Sequence, residues 1–359
     1  MEQSHEIFRM LDMMERPGFC VKDQKIVRVN AGIGHPIVPG ADIQPLLHIG
    51  EEDYAQFTGG CLYLTLMVSG KTCGASVTRV GDYDIFLLEQ DADHAELQAM
   101  ALAARELREP LANVMTTADR LFPMVALQDD PATHEQVARL NRGLFQMLRV
   151  ICNMSDANRY TTAVSHPETR DICAFLDEVF SKASSLVTHT GIELTFTNLP
   201  EPVLCLVDGE KLERAVLNII SNAIKFTPKG GTIEAKLLRR GNSLCLTVQD
   251  SGDGLNDSLK GNIYNRYLRQ PAIEDGRFGI GLGMVLIRSA AAHHGGTVLI
   301  DQPEGKGTRI TMTLAIRQSK ETIVRSPVFQ VDYAGGRDHG LIELADCLPV
   351  DPYDTRKIN

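Results

Sequence analysis

The sequence has no excess of basic residues and no long hydrophobic run. Its 359 residues carry 36 Lys and Arg against 46 Asp and Glu, a formal net charge of −10. Because a general grip on nucleic acid needs a basic footprint, this balance argues against nucleic acid as a partner and leaves a basic protein surface possible. No apolar stretch approaches the roughly 18 residues that indicate a membrane-spanning helix, so none is predicted.

The chain also lacks two signals of export and metal binding. Its start, Met-Glu-Gln-Ser-His-Glu, has neither the basic region nor the apolar core of a signal peptide. The eight cysteines have no Cys-x-x-Cys spacing, and several, such as Cys205 and Cys245, lie inside apolar runs. This pattern favours buried free thiols over a metal or redox site, and we expect a cytoplasmic protein.

The length permits two or three domains, and the first predicted one covers residues 1–90. After a helix at about 3–14, short apolar runs with a period of two are separated by turn residues, which predicts a small antiparallel sheet. The first hairpin and its Asn30 resemble the opening of a PAS sensor domain. A small α+β module for dimer contact is an equally good interpretation.

Residues 91–160 are predicted to form a helical hairpin. Apolar residues recur at steps of three and four, break at 128–132 and resume, with Thr133 and Gln136 as a predicted capping box. Pro110 is expected to kink the first helix. Since two such helices cannot bury their apolar faces alone, we expect a four-helix dimer.

Residues 165–318 alternate strands and helices, which predicts an α/β sandwich with a mixed sheet. The whole chain is thus predicted to be a multidomain α+β protein. Residues 319–359 form a C-terminal tail with a weak apolar segment, Gly-Leu-Ile-Glu-Leu-Ala-Asp-Cys-Leu, starting at Gly340. No function is predicted for the tail.

The α/β region contains three motifs whose chemistry suits a nucleotide. Asn218 and Asn222 share one face of a helix, where their amides can hold a hard cation and donate to phosphate, and Lys225 adds a positive charge. Asp250 ends a strand and opens Asp-Ser-Gly-Asp-Gly, where a carboxylate can accept from an exocyclic amine. Gly279-Ile-Gly-Leu-Gly283 leads into a helix whose free N–H groups can bind phosphate.

Each motif is weak alone, but their order and spacing are specific. Walker and Rossmann sites are excluded because no Gly-Lys-Ser/Thr follows the glycines and no βαβ unit surrounds them. The set resembles the N, G1 and G2 boxes of the GHKL ATPase superfamily. The phrases Asn-Ala-Ile-Lys-Phe-Thr-Pro, His294-Gly-Gly-Thr and Gly305-Lys-Gly-Thr308 are similar to the histidine kinase branch, as is Asp208 before the N-box helix.

The resemblance implies ATP and Mg²⁺ as ligands and a role for each matched position. Asn222 would bind Mg²⁺ with help from Asn218. The other implied nucleotide-binding positions are Lys225 at the phosphates, Asp250, Gly252 and Gly254 at adenine, Gly279, Gly281 and Gly283 in the lid, and Thr308. Tyr264 and Tyr267 stand where the family has lid-anchoring phenylalanines, although plain core packing explains them equally well.

The first hairpin helix carries Arg105-Glu-Leu-Arg-Glu-Pro-Leu, which resembles the His-Glu-Leu-Arg-x-Pro-Leu box of sensor histidine kinases. Arg105 stands where the family has its phosphorylated histidine, and an arginine offers only donors and cannot attack a phosphate. Glu106 keeps the neighbouring carboxylate, and Glu109 stands where the family positions water. As an alternative, these residues are simply a charged helix face.

Three hypotheses follow. The first is a sensor histidine kinase homologue that binds Mg-ATP and acts as a pseudokinase, a nucleotide-gated scaffold or a heterodimer partner, with a response regulator or a partner kinase as its target. The second is an active kinase with another acceptor, either His94 or a Ser, Thr or His on a partner protein; His134 is a weaker candidate. The third is an interaction module that no longer binds ATP.

Overall fold

The computed structural model of the protein describes residues 2–14, 16–33, 37–89, 91–126, 130–162, 167–254, 282–303, 306–317 and 335–356. Its N-terminal region contains α1 (Glu2–Asp12), β1 (Gly18–Lys22), β2 (Lys25–Val29), β3 (Leu47–Ile49), α2 (Glu51–Ala55), β4 (Cys61–Val68), β5 (Lys71–Val80) and β6 (Tyr83–Leu88). The strands pair antiparallel, and β6 lies between β1 and β5. Phe19 and Phe86 stack in its core with their ring centroids 4.7 Å apart.

Asn30 has a structural role at the end of the first hairpin. Its side chain is buried, and its Oδ1 accepts from the backbone N–H of Gly18 at 3.0 Å. Its Nδ2 donates to the carbonyl oxygen of Arg16 at 2.6 Å. These bonds fasten the loop after α1 to β1, so this asparagine satisfies backbone groups that would otherwise be buried without a partner.

The hairpin consists of α3 (Asp91–Ala126) and α4 (Pro131–Thr162). The helix α3 continues through Pro110 and Pro123. The predicted capping box at Thr133 is wrong, because α4 begins at Pro131 and Asp130 caps it, accepting from the backbone N–H groups of Ala132 and Thr133 at 3.2 Å. Proline suits the first helical position since it has no N–H to satisfy there.

The α/β region contains β7 (Glu168–Asp171), α5 (Ile172–Val187), β8 (Glu193–Thr197), β9 (Leu204–Val207), α6 (Gly209–Phe226), β10 (Thr232–Arg240), β11 (Ser243–Asp250), α7 (Gly283–His293), β12 (Val298–Asp301) and β13 (Arg309–Ala315). The strand β8 is parallel to β10, whereas β10, β11, β13 and β12 pair antiparallel in that order. The predicted mixed sheet with helices packed against it is therefore present.

The N-terminal sheet and the α/β sheet are one continuous sheet. The strand β4 pairs antiparallel with β12, with Tyr63 opposite Val298 and Cys61 opposite Ile300. The edge is also fixed by side chains, because Asp53 accepts from the hydroxyl groups of Thr297 at 2.5 Å and Thr313 at 3.1 Å. The sequence did not predict this junction.

The C-terminal segment, residues 335–356, contains α8 (His339–Glu343) and a 3₁₀ turn at Asp351–Tyr353. Its apolar side chains enter the core shared by α4, α5 and α6, and five large ones are at most 5% exposed: Leu341, Ile342, Leu344, Leu348 and Tyr353. Burial of such side chains contributes about 1.5–3 kcal/mol each. The C-terminal segment is therefore part of the core.

No helix among the described residues is long and apolar enough to cross a membrane. All eight cysteines are free thiols, as predicted, and six of them are buried. Within the described part of the chain, His, Cys, Asp and Glu side chains form no cluster of three or more that could hold a metal ion.

Candidate functional site

The helix α6 carries the asparagine pair and is anchored at its start. Asp208 caps it by accepting from the backbone N–H of Lys211 at 3.2 Å. The backbone N–H of Asp208 donates to Nε2 of the buried His294 at 3.0 Å, and Nδ1 of that histidine donates to the carbonyl oxygen of Ala290 at 2.7 Å. This pattern requires a neutral imidazole, and burial lowers the pKa of His294. The His-Gly-Gly motif thus ties α7 to the start of α6.

Asn218 is buried, and its amide is fully engaged. Nδ2 donates to the carbonyl oxygen of Arg214 at 2.8 Å and to Oε2 of Glu343 at 3.1 Å. Oδ1 accepts from Nη2 of Arg149 at 3.3 Å. A Cβ at Gly283 would lie 2.8 Å from that same oxygen, so the glycine permits close packing of α7 against Asn218.

Asn222 lies one turn further along α6, half-buried, at the start of α7. Its Nδ2 is 3.7 Å from the thioether sulfur of Met284, a weak acceptor. Within the described residues no donor contacts its Oδ1. Of the two asparagines, Asn222 is therefore the one whose amide oxygen is free for a ligand.

Lys225 is three residues beyond Asn222, and its side chain is 8% exposed. Its Nζ lies 3.6 Å from Oδ2 of Asp346 in the C-terminal segment. Burial lowers the pKa of this lysine, the charge of Arg149 lowers it further, and Asp346 opposes both effects. The predicted cation of the site thus has an intramolecular anion beside it.

Asp250 ends β11, where it is held by the backbone. Its Oδ1 accepts from the N–H of Gly252 at 2.9 Å and of Thr308 at 3.1 Å. A Cβ at Gly252 would collide with the carbonyl oxygen of Phe226, and Gly254 has a positive φ of 82°. Burial raises the pKa of Asp250, although both hydrogen bonds lower it. No described donor contacts the second carboxylate oxygen, which can accept from a ligand.

The structure brings together Asn218, Asn222, Gly283 and Met284 where α6 meets α7, with Asp250 and Gly252 at the far end of α6. Thr308 joins them through backbone bonds with Asp250. Gly279, Gly281, Tyr264 and Tyr267 lie outside the described residues. At the described glycines of these motifs, Gly252, Gly254 and Gly283, an added Cβ would lie within 3 Å of protein atoms.

A buried cluster of six charges connects the site to the hairpin and to the C-terminal segment. It consists of three cations and three carboxylates: Arg149, Arg214 and Lys225 with Asp156, Glu343 and Asp346. Arg214 and Glu343 are fully buried, and Nε of Arg214 donates to Oε1 of Glu343 at 2.8 Å. No expectation drawn from the sequence included this cluster. Its signal was the presence of charges inside apolar runs, such as Glu343 and Asp346 in the weak apolar segment.

Arg105 lies on the solvent-exposed face of α3, as do Glu106 and Glu109, whereas Ala104 is buried. Arg105 and Glu106 are the predicted site residues of the hairpin, and they are not part of the group of residues around Asn218. Near the start of α7, Leu97 of α3 packs with Leu282 and Val285, and Met100 packs against the same cluster. His94 lies one turn before Leu97 in the first turn of α3.

Residues 207–318 match the family model described as histidine kinase-, DNA gyrase B- and HSP90-like ATPase. Sensor protein KdpD of Clostridium acetobutylicum is 26% identical over 230 residues, which cover 60% of this chain and 25% of that protein. Hybrid signal transduction histidine kinase D of Dictyostelium discoideum is 28% identical over 242 residues, 63% of this chain and 15% of that protein. Residues 207–318 therefore form a domain of this ATPase family, and the chain is similar to sensor histidine kinases.

Among solved structures, full-length ShkA in complex with AMPPNP is similar, with a TM-score of 0.50 and 22% identity, covering 62% of this chain and 47% of that one. This similarity concerns the fold. The aligned regions span a quarter or less of Sensor protein KdpD and of histidine kinase D. They are longer than the matched ATPase domain of this chain.

Proposed function

We propose that this histidine kinase homologue binds Mg-ATP in the cleft between α6, α7 and the loop after β11, and that it has no phosphoacceptor of its own at position 105. The observation that carries the proposal is the contact of Asn218 with Gly283 and of Asn222 with Met284, because these contacts join two of the nucleotide motifs at one place.

The hydrogen bonds that each side chain already makes indicate its role in the cleft. Asn222 supplies the Mg²⁺ ligand, since its amide oxygen has no described donor, while Asn218 fixes the α6–α7 junction. Asp250 accepts from the exocyclic amine of adenine through its second oxygen, beside the glycine positions Gly252 and Gly254. Mg²⁺, when bound, would supply positive charge that offsets the charge of the phosphates. Lys225 adds a cation near the phosphates.

The absent acceptor limits the chemistry at the hairpin. A guanidinium remains protonated and has no lone pair to attack a γ-phosphate. Arg105 is exposed among charged neighbours, and Glu109 would repel an incoming phosphoryl group. Residues 91–162 therefore serve as an interaction element, and the protein works as a nucleotide-gated scaffold or as one half of a heterodimer.

The exposed apolar side chains of the hairpin support a four-helix dimer. Leu107, Val114 and Leu121 follow each other at seven-residue steps on α3 and are 49%, 52% and 52% exposed. Leu140 and Met147 on α4 have the same spacing and are 63% and 49% exposed. Seven-residue spacing is typical of a helix face that packs against other helices. The partner is a second copy or a partner kinase, and a response regulator is the proposed downstream target.

One contact favours the alternative of an active kinase with a different acceptor. Leu97 packs against Leu282, which lies inside the Gly279–Gly283 motif, and against Val285 just after it. His94 precedes Leu97 by one turn of α3. Arg105 lies eight residues after Leu97 along α3, which is about 12 Å from Leu97 at 1.5 Å per residue. His94, or a Ser, Thr or His of a partner protein, is therefore the acceptor in this second proposal.

Titration calorimetry with Mg-ATP tests the nucleotide site. We expect binding by the wild type, loss of at least tenfold in affinity for Asn222→Ala, and unchanged affinity for Arg105→His, which lies outside the cleft. Asn198→Ala is a matched control, because Asn198 donates instead to the carbonyl oxygen of Cys173. Absence of binding by the folded wild type would make the protein an interaction module and overturn the proposal.

A further inference from the structure

The C-terminal segment places a carboxylate against the predicted phosphate-binding cation. Asp346 follows α8 in a turn, and its side chain is 13% exposed. Its Oδ2 is 3.6 Å from Nζ of Lys225 and also accepts from Nη1 of Arg149. Lys225 is thus paired with an anion before any nucleotide arrives.

Asp346 is one of several carboxylates that lie beside the cations around this contact. The three cations of the buried cluster face three carboxylates, and two of these, Glu343 and Asp346, come from the C-terminal segment. Glu343 is fully buried between Arg149, Arg214 and Asn218. Asp346 is the carboxylate with some exposure, so it is the one that an incoming anion can replace.

We propose that Asp346 competes with the nucleotide's phosphates for Lys225 and thereby restrains Mg-ATP binding. The inference rests on the proposed function, because it requires the phosphates to reach Lys225. When the phosphates bind Lys225, Asp346 remains paired with Arg149. The C-terminal segment therefore stays docked while the turn that carries Asp346 shifts. Replacement of Asp346 by phosphates at Lys225 would also affect the hairpin helix α4, which carries Arg149. This arginine donates to Asn218 at 3.3 Å and to Ser221 at 3.2 Å on α6.

Docking of the turn and nucleotide binding affect each other reciprocally. If docking of the turn weakens nucleotide binding, then nucleotide binding loosens the turn by the same factor. The turn is held by backbone bonds from the N–H groups of Cys347 and Leu348 to the carbonyl oxygen of Leu344 at 3.0 Å. These two amides report the state of the turn in the unmodified protein.

The test compares Mg-ATP affinity in Asp346→Asn and the wild type. We expect the variant to bind roughly fivefold or more tightly, in the range of ordinary coupling between sites. The gain should shrink from ATP to AMP and vanish for adenosine, because only phosphates compete for the lysine. Asp351→Asn is the matched control, since it removes the same charge from an exposed position of the same segment, beside His189.

Two further measurements separate the possible failures. In a Lys225→Gln background, Asp346→Asn should no longer change the affinity. In the wild type, hydrogen exchange at the amides of Cys347 and Leu348 should become faster with Mg-ATP, which tests the inference even where the variant is poorly folded. Equal affinities of Asp346→Asn and the wild type, with Asn222→Ala impaired, would overturn competition and leave the nucleotide site standing. Absence of binding by both would overturn the nucleotide site itself.

Discussion

Arg214 and Arg139 show how differently the same side chain acts on two faces of the helical framework. Arg214 is fully buried and contacts Asp156, Glu343 and Asn153, whereas Arg139 pairs with Glu135 at the surface and is 67% exposed. Removal of one partner from a buried pair leaves uncompensated charge in the interior, which water cannot reach to solvate.

We predict that Arg214→Met lowers the free energy of unfolding by about 3–5 kcal/mol. The control, Arg139→Met, should cost less than about 1 kcal/mol because exposed pairs contribute little. Urea unfolding followed by circular dichroism measures both values. Similar costs for the two variants would show that the six-charge cluster is solvated in solution.

The neutral His294 predicts a pH dependence of stability. Its pKa is lowered from the ordinary 6.5 by burial, so the unfolded chain binds a proton more readily than the folded chain. Its contribution to stability is complete above pH 6.5 and is lost as the pH falls below that value, by up to about 1.4 kcal/mol per pH unit.

Unfolding free energies between pH 8 and pH 5 measure this effect. We expect His294→Gln to have a shallower decline than the wild type, because a glutamine oxygen can accept from the N–H of Asp208 without titrating. His293 also has a pKa lowered by burial, so part of the decline should persist. An unchanged slope in the variant would contradict a neutral His294.

At the scale of elements, the junction between β4 and β12 is the feature that sets the arrangement of the N-terminal region. Gly60 enters β4 with a φ of 88°, and a Cβ there would collide with the carbonyl oxygen of Ile300 on β12. Gly70 has a similar φ of 76°, but a Cβ there would meet nothing within 4 Å. The two glycines share the backbone strain and differ in the contact.

Substitution of each glycine by alanine therefore isolates the strand junction. Gly70→Ala should cost about 1–2 kcal/mol from the left-handed backbone alone. Gly60→Ala should cost a further 1–3 kcal/mol or so because β4 must move away from β12. Unfolding free energies test the difference, and equal costs would contradict the continuous sheet.

Elements with a local signal were predictable, and those made by distant contacts were not. The period-two runs of residues 1–90 and the two helices of residues 91–160 follow from neighbouring residues, and the structure has these elements close to the expected positions. The start of α4 differed because Asp130 is a better cap before Pro131 than Thr133 is within the helix. The pairing of β4 with β12 joins segments more than 230 residues apart, and no local pattern specifies it.

For the whole molecule, the main surprise was the C-terminal segment. Its charges Glu343 and Asp346 come to lie at α6, although the sequence reveals only a weak apolar run. The motifs of the sequence include residues that the structure brings together where α6 meets α7, whereas the charges around these residues depend on the packing of α4 and α8. Burial of these carboxylates could not be inferred without knowing their arginine partners.

The exposed apolar residues Leu107, Val114 and Leu121 on α3 predict how the whole molecule assembles. We expect the wild type to be a dimer and the double variant Leu107→Glu, Leu121→Glu to be a monomer, because glutamates in a helical seam lose their solvation. Leu238→Glu is the control, since Leu238 is 55% exposed on β10. Sedimentation velocity measures the mass, and a dimeric double variant would contradict the proposed interface.

The protein is proposed to bind Mg-ATP and to lack a phosphoacceptor at position 105. Incubation with γ-labelled ATP, followed by measurement of acid-labile and acid-stable protein-bound phosphate, tests this proposal. We predict that the purified wild type, under conditions where calorimetry shows the nucleotide site to be saturated, incorporates no label of either kind. Acid-labile label that maps to a histidine of the chain, with His94 the first position to inspect, would contradict the claim and identify an active kinase.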